Sequence, residues 1–457
     1  MVKKLVLAIA VLALATPAFA AVQNVKVGGA LKTTSILRDN MGAVGSPDNQ
    51  AEILAQTELN VTADLTDNVS TNIGLLNERL WGNVDKTANE QSSSTVQLET
   101  AYVTMKEFLY APLTVSIGRQ PLKYGNELVI GSSSDSNAVT QIDAVSDLTK
   151  KGNFDAVKAV LSYDPLTVDF FASRIDNNAT VLVSGSNSIT HDNINLYGVN
   201  LNYKLGDKMS TVVEAYTFVK ANEQANITSN RNTKNTTTYV PGLRVSTNPI
   251  EGLNVQLEGA YQFGRVWNNT ATTDDSMSRL GAYALQGKVN YALPVMKDMK
   301  PVMGLGYRYL SGDKRTGNLT SDDSTRTTAW QAMYENQDAG RIFDTLTANT
   351  NSQLTTVSME ISPLKDLTAQ LSLNSLWLAQ KNAYLRDVTT PSSTRAGVNS
   401  SKYRGSEVDL DLTYAYTEDV KFGVSAGYFV TGKTFVADEG QDNKNKSQIL
   451  SSVSVLF

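Results

Sequence analysis

Three acidic residues at a spacing of two, Glu407, Asp409 and Asp411, form the densest charged grouping in this chain of 457 residues. On an extended strand they share one face, where like charges repel unless a neighbour supplies cations or an ion binds. The expected remedy is an Arg or Lys from an adjacent strand within salt-bridge reach; left unpaired, the trio suits a cation path or a Ca²⁺ site. The single imidazole, His191, stands beside Asp192 among residues that read as a loop at the base of a strand. A hydrolase would need a nucleophile poised against that pair, and no local pattern supplies one. No catalytic residue is assigned. The absence of cysteine excludes disulfides and thiolate metal sites. No cofactor and no metal site is expected.

The carboxylates sit in a strongly alternating segment. In residues 402–416, Val408, Leu410, Leu412, Tyr414 and Tyr416 alternate with Glu407, Asp409, Asp411 and Thr413. Residues 253–263 repeat the pattern with Leu253, Val255, Leu257, Tyr261 and Phe263 against Asn254, Gln256, Glu258 and Gln262. Residues 302–309 do so with Met303, Leu305, Tyr307 and Tyr309. The chain ends the same way, Ile449, Val453, Val455 and Phe457 opposing Gln448, Ser452 and Ser454. A period of two is a β signal. A soluble sandwich also alternates, but its strands run about five or six residues. These patterns persist for roughly 9 to 13, the reach needed to cross a bilayer at a tilt.

The connections fall into two classes. Short turns occur at 67–68, 111–112, 164–165, 206–207, 249–252, 294–300, 363–366 and 418–419, with Asp, Asn, Gly and Pro as turn chemistry requires. Long polar segments occupy 39–49, 82–94, 123–153, 177–193, 221–236, 266–279, 312–352, 380–401 and 433–446. Eight short and nine long connections in strict alternation predict eighteen strands, all tight turns on one rim and all long loops on the other. The expected fold is an all-β, antiparallel, up-and-down transmembrane barrel. Tyr163, Tyr203, Tyr291, Tyr416 and Phe422 beside the short turns, and Tyr261, Phe263, Tyr309, Trp377 and Tyr428 toward the long loops, read as two interfacial girdles.

Residues 1–20 read as a signal peptide: Lys3 and Lys4, an apolar run over 5–15, then Ala18-Phe19-Ala20. Residues 21–457 then form a single barrel domain, exported to the outer membrane of a bacterium. Without Lys3 and Lys4 the chain has 38 basic and 45 acidic residues, a net of −7, and no basic patch suggests nucleic acid. The mean hydropathy of −0.22 does not separate a soluble protein from a barrel, in which only alternate residues face lipid.

With the apolar parity facing lipid, the other parity lines the interior. It supplies Lys32, Lys158, Arg244, Lys288, Arg308 and Lys421, against Glu58, Glu214, Glu258, Glu360, Glu407, Asp409 and Asp411. The signs are roughly balanced, whereas rings of one sign would select ions of the other; a plainer reading is that polar residues facing luminal water need no function. Arg119 shares the parity of Leu113, Val115 and Ile117, which aims it at lipid. A bulge at Gly118 is the expected resolution, a position above the hydrocarbon the alternative. Arg79 and Arg174 pose the same question. The loops 123–153 and 312–352 are long enough to fold inward. The second carries Trp330, Met333, Tyr334, Arg341 and Phe343, an apolar content that suggests a constriction.

The segment SIGRQPLKYGNELVIG (116–131), with Gly118-Arg119-Gln120 and Tyr124-Gly125, resembles the alginate-export family of bacterial outer-membrane barrels. Asn153-Phe154-Asp155-Ala156-Val157 and the segment 330–344, with its Met333-Tyr334 pair and Gly340, fit the same family. The resemblance is specific over residues 97–163 and extends as a layout over the mature chain. It implies eighteen strands and a channel; the family's best-known substrate is an anionic polysaccharide moved through an arginine-rich lumen. The mixed lumen here points instead to a porin for passive diffusion of ions and small polar solutes, including saccharides or oligosaccharides. A non-conducting structural or adhesin-type barrel is the alternative, and an enzyme ranks last. The expected partners are outer-membrane lipid and lipopolysaccharide, the barrel-assembly machinery through Phe457, and small polar solutes.

Overall fold

The computed structural model describes residues 23–41, 49–82, 96–132, 145, 147–150, 152–181, 189–226, 235–267, 277–313, 326–337, 340–347, 349–381, 401–432 and 444–457. The expected signal peptide lies outside them. Eighteen long strands form one closed antiparallel sheet. They are β1 (Gln23–Asp39), β2 (Asn49–Thr66), β3 (Val69–Leu80), β4 (Gln97–Met105), β5 (Leu113–Gln120), β6 (Phe154–Tyr163), β7 (Leu166–Val181), β8 (Ile189–Lys204) and β9 (Val212–Asn226). There follow β10 (Thr236–Ile250), β11 (Leu253–Trp267), β12 (Met277–Ala292), β13 (Val302–Leu310), β15 (Ser352–Leu364), β16 (Leu367–Leu378), β17 (Tyr403–Ala415), β18 (Val420–Thr431) and β19 (Lys446–Leu456). The two-residue β14 (Arg326–Thr327) belongs to a loop and pairs parallel with β12.

Each long strand pairs with its sequence neighbours, and β19 pairs with β1 from Ala30↔Leu456 to Asp39↔Ser447. Phe457 completes the seam by exchanging backbone hydrogen bonds with Gly29 at 2.9 and 3.1 Å. Its ring lies over Gly29, where a Cβ would come within 2.6 Å of Cζ. Closure removes the unpaired edges that a bilayer cannot solvate.

All eight expected turns and nine expected loops fall between consecutive long strands. The loops expected over 177–193 and 221–236 have displaced bounds, because β7 and β8 continue to the pair Val181↔Ile189 and β9 continues to Asn226. His191 therefore lies in strand β8, opposite Ala179 and Ala225, and not in a loop. Its side chain is outside the described atoms.

The outer wall is apolar and open. Leu257, Leu243, Leu305 and Leu285 stand mid-strand at 62, 53, 53 and 52 % exposure, a surface that only lipid covers without cost. Outward aromatics stack across the ladder near the long-loop rim, Tyr239 on Phe263 at 5.2 Å and Tyr283 on Tyr309 at 5.3 Å. The inner wall changes with height. Toward the short-turn rim it is polar; toward the long-loop rim it carries buried Ile36, Leu54, Leu76, Phe171, Leu196, Phe218, Leu354 and Phe429. Apolar side chains on both faces mean that protein, not water, fills the barrel there.

Candidate functional site

The filling comes from the two longest loops. Residues 121–132 and 326–337 meet inside the barrel, where Ile130 and Tyr334 form an isolated parallel bridge. Trp330, Met333 and Tyr334 are buried in one apolar cluster with Leu122, Tyr124 and Ile130 and with the inner wall from β6 to β13. Tyr124 stacks on Phe171 at 5.3 Å, and Lys220 lies 4.9 Å over the Tyr334 ring. Residues 340–347 cross to the other wall, where Ile342 and Phe343 pack against Leu354, Leu376 and Phe429. A third contact seats Val145 against Ile36, Leu54 and Leu80.

Carboxylates on the inner wall fasten these segments by accepting backbone N–H groups. Glu214 accepts from Gly125 at 2.9 Å and Glu258 from Asn126 at 2.6 Å. Arg244 donates to Glu214 at 3.3 Å and to the Asn126 side chain at 2.8 Å, and the Tyr216 hydroxyl donates to Glu258 at 2.7 Å. Gly125 has φ +62°, and a Cβ there would collide with the Glu258 carboxylate. The glycine is thus required twice, by the left-handed backbone and by the close approach. Gln120 of the same motif faces inward and donates to Ala156 O at 2.9 Å. Burial pushes the Tyr124 phenol well above its ordinary value, which keeps it neutral.

On the opposite wall Glu407 accepts from both Ile342 and Phe343, at 2.7 and 2.8 Å. Asp409 accepts from Asn374 at 2.9 Å, and Asp411 pairs with Arg341 at 3.2 Å. The expected cation from an adjacent strand is not there: Asp409 lies opposite Ser372 and Gly427, and Glu407 opposite Asn374 and Phe429. The charge arrives from the inward loop instead. Among the described residues no cluster of three or more His, Cys, Asp or Glu could hold a metal.

The third fastening is one that the alternation alone did not reveal. Lys150 Nζ pairs with Glu58 at 2.8 Å and Glu99 at 3.6 Å, while its backbone N–H donates to Glu78 at 2.8 Å. Burial pulls the Lys150 ammonium down, but the two carboxylates outweigh it and hold the group above its usual value. Glu99 breaks the β3–β4 register, Thr100 pairing with Gly74 and Leu98 with Leu75. This extra residue turns its side chain into the lumen. Arg38 likewise reaches Asp147 from β1. The readable signal was the apolar inward parity of Leu76 and Leu80, which brackets Glu78 and marks a filled lumen.

The remaining charges stand lower in the barrel. Lys32 of β1 and Lys421 of β18 lie opposite the same residue, Ser454 of β19, one from each side, on the inward parity. Lys158, Lys288, Arg308 and Glu360 share that parity on their strands; Arg308 donates to Asn349 at 3.3 Å. Lys288 and Arg308 border a 180 Å³ recess with Asn290, Thr356 and Ser358, hollowed by Gly304 and Gly306. Arg119 corrects an expectation. The register across β4, β5 and β6 runs unbroken through Gly118 despite its φ of +126°, so no bulge turns Arg119 inward. It stays on the outer face at the long-loop end of β5 and pairs with Asp155 at 2.8 Å. Arg174 finds Asn195 at 3.2 Å beside the register shift of β7.

Comparison with known proteins agrees with this architecture. A family model described as alginate export matches residues 24–448. No curated protein sequence matches the chain. Among solved structures, Pseudomonas aeruginosa OccK8 (OprE) superposes with a TM-score of 0.56 at 12 % identity, covering 95 % of this chain and 98 % of that one. P. aeruginosa OccK2 (OpdF), solved in complex with glucuronate, gives 0.53 at 12 % identity, covering 95 and 98 %. A BenF-like porin from Pseudomonas fluorescens Pf-5 gives 0.53 at 11 % identity, covering 95 and 99 %. At these identities the likeness is one of fold, an eighteen-stranded outer-membrane barrel. The family match spans nearly the whole sequence, and the chain belongs to the alginate export family.

Proposed function

We propose that the protein is a non-enzymatic outer-membrane channel for passive diffusion of ions and small polar solutes, saccharides and their acids included. The observation that supports this most is how the inner wall uses its charges. Of the seven inward carboxylates named from the sequence, Glu58, Glu214, Glu258, Glu407, Asp409 and Asp411 are engaged by loop amides, loop cations or wall side chains. The pore-lining role then falls to Lys32, Lys158, Lys288 and Lys421, with Glu360 as the one of the seven without a partner among the described residues and with the inward Asp169 beside Lys158. A lumen whose acids are committed inside the protein presents a net basic field to a solute, which favours anions.

The solved OccK2 complex contains glucuronate, a sugar acid of the class this field would attract. Export of a long anionic polymer fits less well, because residues 326–337 and 340–347 occupy the interior, packed on opposite walls. A structural or adhesin-type barrel would use the same wall but would not conduct. Planar-bilayer recording in a salt gradient tests the proposal. A reversal potential of anion-selective sign supports it; the absence of any conductance would leave the structural barrel as the better reading.

A further inference from the structure

Three arginines on the outer wall have no part in a channel. Arg265 of β11 lies opposite Arg279 of β12, and Arg279 lies beside Arg326 of β14 in the parallel pairing. All three are exposed. They sit on the outward parity: Arg265 follows Phe263 by two residues, and Arg279 precedes Gly281 and Tyr283. A Cβ at Gly281 would meet Arg326 Nη2 at 3.4 Å and the Tyr261 hydroxyl at 3.5 Å, so the Arg326 guanidinium lies against the outer face at the top of the aromatic row. Among the described residues none of the three has a carboxylate partner. Arg119, by contrast, meets the same outer rim with Asp155 against it.

Three arginines directly opposite one another on strands about 5 Å apart repel one another and call for an anion between their guanidinium groups. Their height, just beyond the aromatic row on the long-loop side, is that of the outer-leaflet headgroups. Guanidinium groups bind phosphate bidentately and keep their charge at any physiological pH. We infer that Arg265, Arg279 and Arg326 form a docking site for the phosphates of the outer-leaflet glycolipid, the phosphorylated glucosamine headgroup of lipopolysaccharide. The acyl chains of the same molecule would lie below on Tyr239, Tyr261, Phe263 and Tyr283, which are exposed on this sector of the wall. The inference rests on the membrane placement of the barrel and not on what passes through it, so a non-conducting barrel would leave it standing.

The test uses the full-length protein in detergent, titrated with diphosphoryl lipid A or with its dephosphorylated form and followed by native mass spectrometry. The wild type should bind the diphosphoryl form about tenfold tighter, and R265Q/R279Q/R326Q should lose that preference, as expected when charge-assisted contacts are removed. Heat-dependent migration on SDS gels checks that each variant is folded. R326Q alone alters only the loop strand and should lose roughly threefold. Equal affinity of wild type and folded variants, or no preference for the phosphates, overturns the assignment. Displacement of bound lipid A by an equal concentration of inorganic phosphate would overturn it too, since the site would then hold a free anion and not a lipid.

Discussion

The two ends of the inward loop system are fastened by the same chemistry and held very differently. On the β6–β13 side, Glu214 and Glu258 each take one backbone amide, Arg244 lies against Glu214, and twenty buried apolar residues surround the contact. On the β15–β18 side, a single carboxylate, Glu407, takes two amides, its nearest loop cation Arg341 is spent on Asp411, and five buried residues pack around it. Burial at about 25 cal/mol per Å² makes the first contact much the stronger. The first is a fixed part of the wall, and the second is the place where a segment could leave it.

That contrast is open to attack at several points. Deleting residues 321–348 removes the segment that Glu407 fastens and the part of the first apolar cluster packed beside it, and should raise single-channel conductance roughly twofold or more; unchanged conductance would mean that the segment does not constrict. E407A strands two buried amides and should release only 340–347, at a cost of about 3 kcal/mol in urea unfolding. Its conductance should rise with greater open-state noise, while E407Q, which keeps an acceptor, should restore much of the wild-type trace. G125V forces a side chain into the Glu258 carboxylate at a left-handed backbone and should cost about 2 kcal/mol or more, without the added noise. If G125V were noisy and E407A quiet, the roles of the two ends would be reversed.

K32Q/K421Q removes the lysines flanking Ser454 and should move the reversal potential toward cation selectivity at nearly constant stability; no shift would show that the open lumen is read elsewhere. The smallest effect is expected outside the membrane, at the 205–211 turn. The backbone amide and hydroxyl of Thr211, at 2.7 Å each, hold the Asp207 carboxyl below its usual range. A lowered native pKa stabilises above the unfolded value, near 4, and that contribution is lost as pH falls through the native one. D207N should therefore flatten the acid limb of a melting-temperature profile and leave pH 7 conductance unchanged.

Strand count, closure and the two rims were legible because a barrel wall separates two solvents, and residues alternate between them. The same logic hid the contents. Val181 and Ile189 are joined to their strands by residues 176–180 and 190–193, polar but for Ala179, which carry no apolar parity once the ladder rises above lipid, so those residues read as loop. Glu407, Asp409 and Asp411 could be placed on one face, but their partners are backbone amides, the Asn374 side chain and a loop arginine, and no periodicity encodes them. Gly118 carries a positive φ without changing register, whereas Glu99, with no glycine to announce it, shifts one. Bulges are set by the ladder as a whole.

The seam between Gly29 and Phe457 has a consequence for how the molecule comes into being. The first strand meets β2 at once, but its second partner, β19, lies far along the sequence, so the pairing that completes the wall spans almost the full contour of the chain. Loop-closure entropy and long-range pairing make such a contact intrinsically late. A chain cut short by even one strand keeps two raw edges and has no way to hide them in lipid. Without the pairing of β1 with β19 the other strands make an open sheet and not a wall.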